Sequence, residues 1–134
     1  MVINKKTHNK YKLKGSNKFQ FIRSGRFGIK TISAGRVVKE KWILVERALQ
    51  RKLKLLLGHK RSKIFSSLEF NNSLTKLSLE SRMGKGKGIV YAESKFLKPG
   101  TLLFEFTRLP KQYESEVFTF IQKKMRLKLK LVKF

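Results

Sequence analysis

From residue 19 onward, the apolar and polar positions fall into recognisable periods. Residues 19–22 and 27–33 are short segments rich in Phe and Ile, joined through Ser24-Gly25, and predict two strands, as a hairpin or in succession. Gly35 breaks that pattern. Val38, Trp42, Val45, Leu49, Leu53 and Leu56 then recur at three- and four-residue steps, which predicts a helix over residues 38–57 with these side chains on one face. Lys39, Arg47, Arg51 and Lys54 fall largely on the opposite side, and Gly58 is the expected stop because glycine tolerates the left-handed backbone at a helix end.

The second half reads in the same way. Residues 64–70 predict a strand and Asn71-Asn72-Ser73 a turn, while residues 74–81 fit no single period. The run Arg82-Met83-Gly84-Lys85-Gly86-Lys87-Gly88 is a loop, because three alternating glycines would cost roughly 1 kcal/mol each inside a helix. Residues 89–97 and 101–106 predict strands, and Lys98-Pro99-Gly100-Thr101 has Pro and Gly where a type II turn needs them, so a hairpin is expected. A second helix is expected over residues 111–125, with Pro110 in its first turn and Tyr113, Val117, Phe120, Ile121 and Met125 as its apolar stripe. Leu127-Lys128-Leu129-Lys130-Leu131 alternates with period two, the pattern of a strand with one basic face. The sum is an α+β fold, two helices packed on a mainly antiparallel or mixed sheet.

Residues 1–18 differ in texture. Lys5, Lys6, Lys10, Lys12, Lys14 and Lys18 leave too few apolar residues for a packed core, so the stretch reads as a flexible basic arm preceding one domain over residues 19–134. It lacks the apolar run of a secretory signal and is poor in Arg and Ser, unlike a mitochondrial presequence.

Charge changes the picture most. Thirty-three Lys and Arg stand against eight acids, all of them Glu, for a formal net charge of +25 over 134 residues. A domain with so much charge of one sign repels itself, and a polyanion relieves the repulsion. Nucleic acid is the leading candidate, since each phosphate contact also releases counterions. Anionic membrane is second, but a surface helix needs a long apolar face against a basic one, and here the charge is spread over every segment. No apolar run reaches about 18 residues, the length that would predict a membrane span.

Catalytic chemistry finds little material. The chain has no cysteine, which excludes disulfides, thiolate metal sites and a Cys nucleophile. His8 lies in the arm and His59 just past the first helix, neither beside an acid in sequence. Glu114 and Glu116, two apart on a helix, point in different directions and complement the positive helix N-terminus. No spacing suits a metal, and no cofactor is expected. The glycine loop fits neither G-x-x-x-x-G-K-[ST] nor G-x-G-x-x-G. It does place Arg82, Lys85 and Lys87 beside unshielded backbone amides, which suits close approach to a phosphate backbone; the plainer alternative is a hairpin tip kept soluble by its lysines. Tyr11 and Tyr91 are candidates for stacking on unpaired bases, whereas the Phe residues are expected in the core.

These segments resemble the large-subunit ribosomal protein sixteen family of bacteria, mitochondria and plastids. Ser81-Arg82-Met83-Gly84-Lys85-Gly86-Lys87-Gly88 matches that family's R-M-G-K-G-K-G loop. Lys98-Pro99-Gly100-Thr101-Leu102-Leu103-Phe104-Glu105 is similar to its P-G-x-x-L-x-E segment, and Phe27-Gly28-Ile29-Lys30 with Gly35-Arg36 to its F-G-L-K…G-R pattern. The three blocks stand in register. Residues 70–80 depart from bacterial members in lacking proline, and the likeness fades after Met125.

The resemblance implies a structural role in the ribosome and no enzymatic reaction: binding of large-subunit ribosomal RNA and bracing of the aminoacyl-tRNA site, beside neighbouring large-subunit proteins and away from any membrane. It carries Lys30, Arg36 and the basic arm over as ribosomal-RNA contacts. The candidate set is Lys5, Lys6, Lys10, Lys12, Lys14, Arg23, Arg26, Lys30, Arg36, Lys39, Arg47 and Arg51. Arg82, Met83, Gly84, Lys85, Gly86, Lys87 and Gly88 are the loop expected to face ribosomal RNA and tRNA. Lys well above Arg, frequent Phe and Asn, and scarce Ala and Pro point to AT-rich coding. That favours an organelle, the mitochondrial matrix first, with a plastid or an AT-rich bacterium as alternatives. A free nucleic-acid module would not sediment with large subunits, an RNA-modifying enzyme would need a cofactor fingerprint or an acid–base pair, and a membrane-surface protein would bind anionic liposomes regardless of RNase.

Overall fold

The computed structural model describes residues 5–7, 20–58, 62–66 and 68–133. Among the described residues, seven strands and two helices follow one another as β1 (Phe27–Thr31), β2 (Gly35–Val38), α1 (Lys39–Leu57), β3 (Lys63–Phe65), β4 (Asn72–Lys76), β5 (Ile89–Leu97), β6 (Leu102–Thr107), α2 (Lys111–Met125) and β7 (Leu129–Lys133). The strands form two antiparallel sheets, one ordered β3-β6-β1-β7 and the other β2-β5-β4. The α+β class is as expected; the single sheet is not.

Both helices stand where the 3.6-residue period places them. On α1, Trp42, Val45, Leu49 and Leu53 are buried, and Arg47, Arg51 and Lys54 are exposed. The Gly58 amide closes the helix on the Lys54 carbonyl at 3.0 Å. Pro110 is the N-cap of α2 rather than part of its first turn, and the buried face of α2 is Glu114, Val117, Ile121 and Met125, with Tyr113 and Phe120 at its margins.

The core joins these helix faces to the inner residues of both sheets. Trp42 lies flat on Phe104, with ring centroids 4.4 Å apart, and Phe27 stacks on Phe106 at 4.6 Å. Offset-stacked aromatic pairs of this kind add about 0.5–1.5 kcal/mol beyond the area they bury. Phe27, Phe104 and Phe106 thus meet the expectation of core phenylalanines, while Phe21 stays 82% exposed with Lys30 over its ring.

Several strand expectations are corrected. Residues 20–22 form no strand, and Phe19 lies outside the described residues. The C-terminal half of β6 already has β1 on one side and β3 on the other, so no edge remains there for another strand. The segment lies against β6 through side chains instead: Gln20 Oε1 accepts from the Leu102 amide at 2.7 Å, and Glu105 Oε2 accepts from the Arg23 and Ser24 amides at 3.1 and 2.8 Å. Gly35 opens β2 rather than breaking the pattern. Among the described residues of the stretch 64–70 and its neighbours only Lys63–Phe65 is strand, and Asn72 and Ser73 begin β4 instead of making a turn.

The turn at residues 98–101 is present, with Gly100 at φ 84° and the Thr101 amide on the Lys98 carbonyl at 3.2 Å. It does not make a hairpin. β5 is flanked by β2 and β4, so the chain crosses at this turn from one sheet to the other. Thr31, at the end of β1, holds the crossing: its amide donates to the Thr101 carbonyl at 3.0 Å, its carbonyl accepts from Gly100 at 2.8 Å, and its hydroxyl donates to the Lys98 carbonyl at 3.0 Å.

Candidate nucleic-acid interface

Between β4 and β5 the chain leaves the sheet in the loop of residues 82–88. Gly84 and Gly86 have φ of 91° and 98°, left-handed conformations that a side chain would strain, and both point their missing Cβ into open space. Arg82, Lys85 and Lys87 are exposed, and Met83 is 94% exposed. The loop therefore offers alternating cations and bare amides to whatever approaches it.

Lys5, Lys6 and Thr7 of the arm are docked beside this loop. The Ser73 amide on β4 donates to Thr7 Oγ1 at 3.1 Å, and Ser73 Oγ donates to the Lys5 carbonyl at 2.6 Å. Lys6 Nζ donates to the Lys87 carbonyl at 2.8 Å, and the Lys87 ammonium in turn donates to the Thr7 carbonyl. Two basic elements some eighty residues apart in sequence thus form one surface. Lys10, Lys12, Lys14, Tyr11, His8 and His59 lie outside the described residues.

The other candidates do not gather in that patch. Arg36 is exposed on β2, Arg47 and Arg51 on the outer face of α1, and Lys30 is half-buried on β1 over Phe21. Lys39 is paired with Glu93 of β5. Arg23 and Arg26 line a cleft of about 390 Å³ between residues 22–26 and the end of β6, together with Arg108. Arg108 is not legible as a site residue in the sequence, because nothing local in Thr107-Arg108-Leu109-Pro110 marks it; only the sheet brings it to the other two. Tyr91 is 57% exposed and sits at an irregularity of β5, where Leu74 faces Ala92 and Thr75 faces Val90.

The electrostatics follow from how the glutamates are used. Glu93 pairs with Lys39, Glu116 Oε1 lies 2.5 Å from Lys52 Nζ, and buried Glu114 lies 2.7 Å from Lys133 Nζ. Glu114 and Glu116 therefore do point apart, one to β7 and one to α1. Glu105 is engaged by backbone amides. Those are three ion pairs among the described residues, and eight glutamates in all cannot neutralise thirty-three cations. Among the described residues no group of His, Cys, Asp or Glu is placed to hold a metal, and no helix is long and apolar enough to cross a membrane.

The family model described as ribosomal protein L16p/L10e matches residues 2–132. The chain is 42% identical over 130 residues to the large ribosomal subunit protein uL16m of Chondrus crispus, covering 96% of this chain and 94% of that one. It is 33% identical over 118 residues to the large ribosomal subunit protein uL16 of Aquifex aeolicus, covering 88% and 78% respectively. A third relative, uL16 of Blochmanniella pennsylvanica, is 32% identical over 108 residues, 81% of this chain and 77% of that one. The chain belongs to the ribosomal protein L16p/L10e family: it is a ribosomal protein of the large subunit, a structural component and not an enzyme.

Proposed function

We propose that the protein binds large-subunit ribosomal RNA in a mitochondrial ribosome and braces the site that receives aminoacyl-tRNA. The arm, including Lys5, Lys6, Lys10, Lys12 and Lys14, contacts ribosomal RNA together with Arg23, Arg26, Lys30, Arg36, Lys39, Arg47 and Arg51. The loop from Arg82 to Gly88 faces ribosomal RNA and tRNA. The single observation that carries this reading is the joint surface of Lys5, Lys6 and that loop, where exposed cations alternate with unshielded amides. Phosphates accept from such groups whatever the base sequence, and A-form RNA is recognised chiefly through its backbone and shape. Similarity to a uL16m, the mitochondrial form, supports the compartment, as does a composition rich in Lys and Phe and poor in Ala and Pro, which AT-rich coding would produce.

The test is sedimentation of the tagged protein in mitochondrial extract, followed by crosslinking to RNA. The protein is expected to travel with the large subunit, to be released by RNase and to crosslink to large-subunit ribosomal RNA. Protein found at the top of the gradient and indifferent to RNase would overturn the reading.

A further inference from the structure

The cleft at the end of β6 is separate from the loop surface and belongs to the other sheet. We propose that Arg23, Arg26 and Arg108 form a second RNA contact there, a clamp for the sugar–phosphate backbone. The proposal rests on the ribosomal-RNA reading above and adds to it a defined site and a residue, Arg108.

Three observations carry it. The first is composition: three guanidinium groups line one cleft, and none of them makes an ion pair among the described residues. Glu105, the carboxylate nearest in sequence to Arg108, accepts from the amides of Arg23 and Ser24 and so fixes the wall of the cleft; its single charge is outnumbered by the three guanidinium groups. The second is rigidity. The Arg26 amide is fixed on the Phe106 carbonyl at 3.1 Å, and a Cβ at Gly25 would lie 2.5 Å from that same oxygen, so only glycine allows the loop to sit this close to β6. Arginines on a fixed backbone lose less freedom when they bind. The third is Arg108 itself, held at φ 57°, a left-handed conformation that non-glycine residues rarely adopt and that concentrates at ligand-binding positions.

The chemistry selects the ligand. A guanidinium offers a planar fork that matches two phosphate oxygens, which an ammonium does not. At about 390 Å³, where a water takes about 30 Å³, the cleft has room for a phosphate with its sugar. The cleft is open to its surroundings, which suits a strand passing through rather than an enclosed small molecule.

The experiment measures binding of the full chain to a large-subunit ribosomal-RNA transcript as a function of salt, with folding of each variant checked by circular dichroism. R23Q/R26Q/R108Q is expected to bind about tenfold or more weaker than the control K111Q/K123Q/K130Q, which removes the same charge elsewhere. Its log–log salt slope should flatten by roughly 0.7–0.9 for each phosphate that the variant leaves unneutralised. R23K/R26K/R108K keeps the charge but loses the fork, and should still bind several-fold more weakly than wild type. R108G accepts the left-handed backbone without strain, so it should fold at least as well and yet bind more weakly. A cleft variant no weaker than the control, or a Lys variant equal to wild type, would overturn the clamp. If wild type does not bind the transcript at all, the ribosomal-RNA reading itself fails, and the clamp with it.

Discussion

Lys6 and Lys87 tie the arm and the loop together from both sides: the Lys6 ammonium sits 2.8 Å from the Lys87 carbonyl, and the Lys87 ammonium donates to the carbonyl of Thr7, the residue after Lys6. Two like charges are brought together by neutral acceptors, with no acid between them. The arrangement satisfies hydrogen bonds but leaves the repulsion in place. Its natural complement is an anion lying across both side chains.

That repulsion predicts how the free protein responds to salt. Going from about 0.1 to about 1 M potassium chloride shortens the screening length from about 10 to about 3 Å. The melting temperature of the isolated protein should therefore rise by several degrees. A fall across that range would show that self-repulsion is not what limits its stability.

Neutralising the loop separates folding from function. R82Q/K85Q/K87Q touches exposed side chains, so unfolding free energy should change by no more than about 1 kcal/mol, most of it from breaking the hydrogen bond between Lys87 and Thr7. Incorporation into large subunits, or tRNA binding by the subunits that do form, should drop clearly. Equal incorporation together with equal tRNA binding would sink the role assigned to the loop.

Trp42→Ala removes the plate on which Phe104 stacks and opens a cavity at the junction of helix and sheet. A loss of about 3–5 kcal/mol is expected, read by urea unfolding with far-ultraviolet circular dichroism since the variant has no tryptophan. A loss under about 1 kcal/mol would mean that the core closes around the gap.

Ser94→Ala is the opposite case. Ser94 is fully buried on β5 between β2 and β4, and its hydroxyl has no hydrogen-bond partner among the described residues. Removing an unsatisfied buried polar group should leave stability unchanged or raise it by up to about 1 kcal/mol. Marked destabilisation in thermal melts would reveal a partner for that hydroxyl.

What the sequence discloses is whatever depends on near neighbours. The helix positions of Trp42, Val45, Leu49 and Leu53, the stop at Gly58, the full length of β5 and the turn at Gly100 are all set by residues a few places apart. Sheet membership is not. Pro99-Gly100 reverses the chain in a hairpin and in a crossing between sheets alike, and the difference lies in distant partners: Thr31 at the turn, β1 along β6 and β2 along β5. Gly35 reads as an interruption because its strand is short and its partner, Leu97, is distant. The glycine loop is legible as a cationic surface, but its junction with Lys5 and Lys6 is not. Arg108 is invisible for the same reason: its companions come from the other end of the chain.

The pairing of β1 also bears on how the molecule is made. Phe27 lies opposite Phe106 on one side and Lys133 on the other. During synthesis this strand emerges early, carrying Phe27 and Ile29, and neither neighbour exists until nearly the whole domain has left the ribosome that makes it. Long-range antiparallel pairing of this kind forms slowly and leaves sticky edges open in the meantime. The nascent chain therefore spends much of its early life as a positively charged, half-finished sheet, when a chaperone or an RNA that shields it has the most to protect.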